Sequence, residues 1–385
     1  MKVLHVYRTY FPDSQGGLEE VIRQICLNTR NHGVESRVFS LSPNPEPGFI
    51  DAEEGQIVRV KQSFEIASCG FCFGGLAEFN RQVAWADVVH YHFPWPFADV
   101  MHAVAGHPRP SLVTYHSDIV RQKLLSYLYR PLMNHFLGSV DRIVATSPNY
   151  FATSDVLSNF SDKVDIIPIG IQRDSYPQLS DESEIVQEVE SQYGRGFFLF
   201  VGVLRYYKGL HILLEAMRDA TYQVVIVGSG PVERELKALA RELGLVNVHF
   251  CGYLKDDIKM ALFHLCRAVV FPSYLRSEAF GVTLLEGAMC GKPLISAEVG
   301  SGTSHINIHQ QTGLVVTPGC PRSLREAMDT LYYNSRDAEA MGQRARERYE
   351  ELFTGVAMGK RYAEVYRDML LQEDADSHLA LGRSE

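Results

Sequence analysis

At 385 residues the chain has room for two or three ordinary domains, and its 46% hydrophobic content supplies a core for each. A formal net charge of -9 and a pI near 5.9 exclude a nucleic-acid binder that works by broad phosphate neutralisation, while permitting local basic sites. No apolar run reaches the roughly eighteen residues of a membrane span, and MKVLHVY enters a strand pattern directly where a signal peptide would place its apolar region, so a cytoplasmic protein is expected.

The first half alternates short apolar or β-branched runs with helical patterns. Residues 3–7, 36–41, 88–92, 111–115, 142–146 and 163–167 read as strands, and 18–31 and 119–138 as helices. Such alternation predicts a parallel, doubly wound sheet. After the first strand, Gly16 and Gly17 precede a helix, where backbone without Cβ atoms can approach a phosphate; a flexible turn is the plainer alternative. This is not GxGxxG, which counts against a dehydrogenase. The seven cysteines are odd in number and scattered, fitting reduced thiols, and Cys69 and Cys72 form a lone CxxC without a second pair. His90 and His92 share one face of a strand, the spacing of a metal pair, but no acidic third ligand is evident. His116 ends the strand 111–115, and Asp118 follows it. The helix 119–138 carries Arg121, Lys123 and Arg130 among aliphatic and aromatic residues, a composition suited to a membrane surface, but Leu124, Leu128 and Leu132 form a stripe at helical spacing that argues for burial.

A polar stretch over 173–192 interrupts the pattern and is expected to hold a hinge. A second set of strands follows at 197–201, 223–227, 248–251, 268–271, 293–297 and 314–316. The loop after the first of these carries Arg205 and Lys208, and the loop after the second reads Gly228-Ser-Gly230-Pro. Further on, SEAFGVTLLEGA sets Glu278 in a loop and Glu286 about two turns into a helix opened by a Phe-Gly break. Free N–H groups of Phe280, Gly281 and Val282 at that helix start would face an anion such as a diphosphate. Residues 356–371 read as an amphipathic helix, and 373–385 as a short, charged, disordered tail.

The SEAFGVTLLEGA segment, with VGVLRYYKGL, resembles the signature of retaining family 4 glycosyltransferases of the GT-B fold, and the likeness runs through nearly the whole chain. It implies an α/β protein of two Rossmann-like doubly wound domains facing across a cleft: an acceptor-side domain over 1–178, a nucleotide-sugar domain over 190–352, and a helix over 353–372 crossing back to the first. By the same resemblance, Glu278 approaches the donor sugar, Glu286 binds the ribose hydroxyls, and Arg205 and Lys208 hold the diphosphate. His116 lies beside the transferred sugar. Gly16, Gly17, Gly228, Gly230, Tyr253, Leu254, Ala279, Phe280, Gly281 and Val282 surround the donor, with Glu19, His92 and Asp118 on the acceptor side. No cofactor or metal is implied, because the Arg, the Lys and the helix dipole cover the phosphate charge.

YRTYFPDSQGGLEEVI and HFPWPFAD are similar to bacterial mannosyl- and rhamnosyltransferases of lipopolysaccharide O-antigen assembly. That similarity implies GDP-mannose as donor, a polyprenyl-linked or oligosaccharide acceptor, an α-mannosyl product and peripheral contact with the cytoplasmic face of the inner membrane. GDP-rhamnose or a UDP-sugar as donor, a GT-B epimerase or hydrolase, and a non-catalytic sugar-nucleotide binder are the alternatives. Two departures from the family pattern, Gly287 where Ala is usual and Ser301 where a second Gly is common, are expected to alter the donor-sugar pocket.

Overall fold

The computed structural model describes residues 1–66, 69–106, 109–119 and 123–381. The chain forms two compact units, one of Met1–Gly170 with Gly355–Glu385 and one of Ile171–Thr354. The chain therefore passes between units at 170/171, just ahead of the polar stretch where a hinge was expected, and again at 354/355. Much of that stretch is instead a helix of the second unit, Glu184–Tyr193, whose Val186 and Val189 are buried.

In chain order the first unit contains strands β1 (Lys2–Val6), β2 (Glu35–Ser42), β3 (Phe49–Ala52), β4 (Gly55–Lys61), β5 (Phe64–Ile66), β6 (Cys69–Phe71), β7 (Val88–Phe93), β8 (Ser111–Tyr115), β9 (Arg142–Ala145) and β10 (Val164–Ile166). Eight of these form one sheet in the order β10-β9-β8-β7-β1-β2-β4-β3, parallel except for the β3–β4 edge, and β5 and β6 make a separate hairpin. The central strands are buried on both faces, which is why VVHYHF and SLVTY read as near-continuous runs. The sequence reading has no strand over 49–61. At this edge the β3 residues alternate between exposed and half-buried, and its apolar signal is correspondingly thin.

The last helix, Gly355–Leu381, belongs to this first unit and packs on the helix Gly17–Arg30. Two glycines set how closely they approach. A Cβ at Gly355 or Gly359 would lie 2.5 or 2.6 Å from atoms of Asn28. The expected disordered tail is partly corrected, since the helix continues through 373–381, while 382–385 lie outside the described residues. Extending an existing helix adds a hydrogen bond per residue without a new nucleus, and neither Gly nor Pro occurs between Lys360 and Leu381 to stop it.

The helix expected over 119–138 is Lys123–Ser139, and Arg121 lies outside the described residues. Of the expected stripe, the side chain of Leu124 lies outside the described residues and Leu132 is half-buried. Met133, Phe136 and Leu137 are buried, whereas Leu128 is 70% exposed. Tyr127, Val104, Ile66 and Phe73 are also exposed in this unit. Among the described residues no helix is long and apolar enough to cross a membrane. All seven cysteines are free thiols.

One face of the first sheet is unusual for its polarity. His5 on β1, His90 and His92 on β7, and His116 just after β8 are all buried, and register places His5 beside His90. The rings of His90 and His92 stack at 4.3 Å, and those of His92 and His116 lie end to end with centroids 5.3 Å apart. From the final helix, Tyr366 Oη lies 2.8 Å from His90 Nδ1 and Tyr362 Oη 2.9 Å from Thr114 Oγ1. Burial pushes His5 and His116 down to about 3 and holds His90 and His92 well below the ordinary histidine value.

The second unit has strands β11 (Phe198–Val201), β12 (Val224–Val227), β13 (Val248–Gly252), β14 (Ala268–Phe271), β15 (Leu294–Ala297) and β16 (Gly313–Val316), all parallel in the order β13-β12-β11-β14-β15-β16. Its core combines apolar strand residues such as Phe198, Val224 and Ile295 with helix residues Leu213, Leu324 and Met328. The helix Val282–Met289 lies close on the sheet, because a Cβ on Gly287 would come 2.6 Å from Val269 Cγ2 and 3.0 Å from Leu294 Cδ2. Gly287 thus faces β14 and β15, which corrects the expectation that it shapes a sugar pocket.

Two predictions follow from these packings. Gly287→Ala should destabilise the second unit by about 1–3 kcal/mol, read as a lower denaturation midpoint, since the added methyl overpacks a sheet contact. The buried histidines make the first unit acid-sensitive. The unfolded chain takes up their protons below about pH 6.5, whereas the folded chain does so only near pH 3 for His5 and His116. Stability is therefore held above pH 6.5 and should fall by about 1.4 kcal/mol per pH unit for each such histidine below it. Urea unfolding at pH 7.5, 6.5 and 5.5 checks this, and a flat profile would contradict it.

Candidate active site

In the second unit the chemistry-bearing residues gather at the C-terminal ends of parallel strands, where open α/β sheets bind ligands. Backbone contacts fasten the loops there to one another. The Gly228 N–H donates to Gly252 O at 2.7 Å, Leu204 N–H to Ser229 O at 3.0 Å, and Tyr274 N–H to Tyr207 O at 3.1 Å. Missing side chains allow these approaches. A Cβ on Gly228 would sit 2.0 Å from Gly202 O, one on Gly230 would sit 2.4 Å from Leu204 O, and one on Gly209 would sit 2.1 Å from Pro272 O. The Gly-Ser-Gly segment thus has a packing role that its sequence alone did not reveal.

Lys208 ends the short turn Tyr206–Lys208 after β11, and the link between Tyr207 and Tyr274 brings it to the loop after β14. There Lys208 Nζ donates to Glu278 Oε2, and Ser273 Oγ donates to the same oxygen at 3.0 Å. The ammonium also lies over the Phe271 ring at 4.5 Å. Glu278 is 8% exposed, and the Lys208 ammonium and the Ser273 hydroxyl compensate its burial. Arg205 precedes the turn and is exposed, and among the described residues no carboxylate is seen paired with it.

The helix Val282–Met289 opens at Gly281, whose φ of 96° is left-handed. A side chain there would be strained and would meet Leu284 and Phe271 at 3.2 Å. Gly302 N–H donates to Ala279 O at 2.8 Å and fixes the approach. Phe280 is buried edge-on to Phe353, leaving only its backbone for a ligand. Thr283 Oγ1 donates to Val201 O at 3.1 Å, so the helix start lies against the end of β11. Helix geometry leaves the first N–H groups without intrahelical acceptors, and the dipole favours an anion at that end.

Glu286 sits a little over one turn into this helix, nearer its start than the sequence suggested. It is 5% exposed and accepts from Lys259 Nζ at 2.9 Å. Lys259 also pairs with Asp256 at 2.8 Å. Burial pulls the Lys259 ammonium down, but Glu286 and Asp256 outweigh it and hold the pKa above the usual lysine value. Lys259 was not singled out from sequence, because a lysine in a first helical turn beside Asp256 and Asp257 reads as a solvated cap. Tyr253 is exposed and Leu254 half-buried just beyond β13.

In the first unit Gly16 caps, and Gly17 opens, the helix Gly17–Arg30. Glu19 is buried, with Oε1 accepting from Thr9 Oγ1 at 2.9 Å and Ser14 Oγ at 2.7 Å, so its carboxylate closes the preceding loop instead of standing free for an acceptor. His92 differs from expectation in the same way. Only 1% exposed, it has Nε2 on His5 Nδ1 at 3.1 Å and Nδ1 on His116 Nε2 at 3.0 Å, which leaves no ring edge for an acceptor. His116 is 6% exposed, at the C-terminal end of β8. Asp118 Oδ1 accepts from Tyr115 Oη at 2.9 Å and Ser154 Oγ at 3.2 Å, and its N–H donates to Tyr150 Oη at 2.6 Å, tying it to its own unit's core.

Comparison with known proteins agrees with both halves. Residues 15–175 match the family model for glycosyltransferase family 4, and residues 181–348 match that for glycosyl transferases group 1. The chain is 51% identical over 354 residues to D-rhamnosyltransferase WbpZ of Pseudomonas aeruginosa, covering 92% of each. It is 46% identical over 370 residues to O-antigen chain mannosyltransferase C of Escherichia coli, covering 96% of this chain and 99% of that one. Among solved structures, sucrose-phosphate synthase from Thermosynechococcus elongatus superposes with a TM-score of 0.78 at 21% identity, over 96% of this chain and 99% of the other. Anabaena HepE in complex with UDP and glucose gives 0.78 at 19%, over 96% and 100%. With two Rossmann-like units, each matched by a glycosyltransferase family model, and relatives this similar along nearly its whole length, the chain belongs to the group 1 and family 4 glycosyltransferases of the GT-B fold.

Proposed function

We propose that the chain moves a hexose, mannose or its 6-deoxy counterpart D-rhamnose, from a GDP-sugar to a lipid-linked or oligosaccharide acceptor during O-antigen assembly, with retention at the anomeric carbon. The observation that carries this reading is the pair of buried carboxylates at one end of the second sheet, Glu278 just before a helix N-terminus with Lys208, and Glu286 just inside it with Lys259. The mannosyl- and rhamnosyltransferases to which the chain is similar support the sugar class.

In this reading the diphosphate lies at the start of Val282–Met289, held by Arg205, Lys208 and the helix N–H groups. Glu286, oriented by Lys259, binds the ribose hydroxyls. As the glycosidic bond breaks, positive charge grows at the anomeric carbon and negative charge on the departing phosphate. Fixed cations aimed at that phosphate lower the barrier without needing to reorganise. Glu278 shares Lys208 with the phosphate and faces the sugar. The acceptor hydroxyl attacks from the face that the phosphate leaves, and its proton passes to the departing phosphate oxygen. The sequence marks no carboxylate as a nucleophile for the opposite face, so a covalent intermediate forms no part of this reading. Arg205, Lys208 and the helix dipole provide the positive charge that the departing phosphate requires.

The choice between the two sugars turns on one hydroxyl. A site that hydrogen-bonds the 6-hydroxyl rejects the deoxy donor by roughly 10⁴-fold, whereas an apolar wall against the methyl discriminates only about 10²-fold. Assays of the purified protein with GDP-mannose, GDP-D-rhamnose and UDP-glucose should give transfer from one of the GDP-sugars, persisting in EDTA. Glu278→Gln and Arg205→Ala should each slow it by about 10²- to 10³-fold with the fold intact. Donor hydrolysis without acceptor, or wild-type turnover by Glu278→Gln, would overturn the assignment.

A lipid-linked acceptor would bring the protein to a membrane surface, and the exposed Phe73, Ile66, Val104, Tyr127 and Leu128 of the first unit supply apolar contact for it. Flotation with anionic liposomes should carry the wild-type protein at low salt and leave Leu128→Glu in the dense fraction. Equal behaviour of the two would remove this contact.

A further inference from the structure

The buried histidines of the first unit form two separate hydrogen-bonded strings. In one, His90 has both nitrogens engaged, Nδ1 with Tyr366 Oη at 2.8 Å and Nε2 with Thr114 Oγ1 at 2.7 Å. In the other, His5 Nδ1 meets His92 Nε2 at 3.1 Å and His92 Nδ1 meets His116 Nε2 at 3.0 Å. Ligating atoms of His5, His90 and His92 all lie within 4.8 Å of one another, a spacing that a metal centre also shows. The rings point elsewhere. His5 and His92 lie end to end with their planes 20° apart and meet nitrogen to nitrogen, while His90 stacks on His92 with its plane 28° away. Both nitrogens of His90 and of His92 are taken up by hydrogen bonds to other side chains, so the three rings are arranged to bond one another and their hydroxyl partners and not to converge on one ion.

The second string has a direction that can be counted out. A neutral imidazole carries one N–H and one lone pair. Two links among three neutral rings use two of each, leaving one hydrogen and one lone pair for the ends of the string. Those ends are His5 Nε2 and His116 Nδ1. His5 Nε2 is buried and has no hydrogen-bond partner. Orphaned buried N–H groups are rarer than under-satisfied acceptors, so the lone pair falls to His5 Nε2. It follows that His5 donates from Nδ1 to His92, His92 donates from Nδ1 to His116 Nε2, and the remaining hydrogen is on His116 Nδ1.

We infer that His5 and His92 are positioning residues that hold His116 as the neutral tautomer protonated on Nδ1, making it a hydrogen-bond donor, not a general base, toward an oxygen of the bound sugar. This rests on the proposed transfer reaction, with His116 beside the donor sugar as the family resemblance implies. The low pKa that burial gives His5 and His116 keeps both rings neutral near pH 7. The arrangement divides the labour by position. His116 meets the ligand, while His92 and His5 act only through it, and His5 sits on a different strand from either partner. It also excludes His116 as the group that takes the acceptor proton, which agrees with the departing phosphate doing so.

The test is the tautomer itself, read in full-length protein labelled with ¹⁵N-histidine by correlation of ring nitrogens with ring protons. The His116 signals are identified by their loss in His116→Gln. At pH 7 the wild-type His116 should be protonated on Nδ1. His5→Phe, which cannot donate to His92, should turn His116 into a mixture of tautomers and slow transfer by about tenfold. His5→Gln, whose amide can donate, should restore both. A wild-type His116 protonated on Nε2, or a tautomer unchanged by His5→Phe, would overturn the relay, and the first of these is read in the wild-type protein whether or not His5→Phe folds. If His116 is the expected tautomer but its resonances do not move with GDP-mannose or GDP-D-rhamnose, the sugar contact fails and the relay stands.

Discussion

A carboxylate can be buried beside a β-sheet in its charged form only if donors or cations are buried with it, and the second unit is organised around meeting that requirement twice. Glu278 has Lys208 and Ser273, and Glu286 has Lys259. Each pair joins separate loops or helices across a strand end. Backbone contacts at Gly209, Gly228 and Gly230 are what bring the loops close enough. The charges and the loop architecture therefore depend on each other. A Cβ at any of these glycines would press on backbone, which cannot swing aside as a side chain can.

The first unit meets a parallel problem with neutral groups. A parallel sheet covered on both faces normally buries aliphatic side chains. Here one face buries His5, His90, His92, Thr114 and His116, and hydrogen bonds among them and to Tyr362 and Tyr366 satisfy nearly every polar atom. Such a network has few ways to be satisfied, which makes it a rigid setting for the one ring at its end. Glu19 and Asp118 behave alike, each absorbed by hydroxyl groups of its own unit. Glu19, His92 and Asp118, expected on the acceptor side, are each hydrogen-bonded within the first unit.

Much of the fold was legible because parallel strands buried on both faces announce themselves as short apolar runs between helical patterns. All twelve of the strands assigned from sequence coincide with observed ones to within two residues at either end. The carboxylates and the Arg205 and Lys208 loop were legible because their spacing is tied to a strand-loop-helix unit. Partners distant in sequence were not. Lys259 lies 27 residues from Glu286 on another helix, and His5 stands alone in MKVLHVY, so neither pairing has a local signal. Periodicity also misled where one helix offers two apolar stripes. Leu124, Leu128 and Leu132 line up as well as Met133, Phe136 and Leu137, and only packing against the sheet chooses between them.

The final helix makes the first unit discontinuous along the chain, since the strands of its sheet come from 1–170 and the tyrosines that satisfy His90 and Thr114 come from beyond residue 355. The second unit is one unbroken stretch whose ends meet, with Ile171 N–H donating to Phe353 O at 3.0 Å. During synthesis on the ribosome, the half that begins first is accordingly the half that is completed last. Until residues 362 and 366 have emerged, the nascent sheet holds a row of imidazoles without their cover, and the second unit has already had every residue it needs to close.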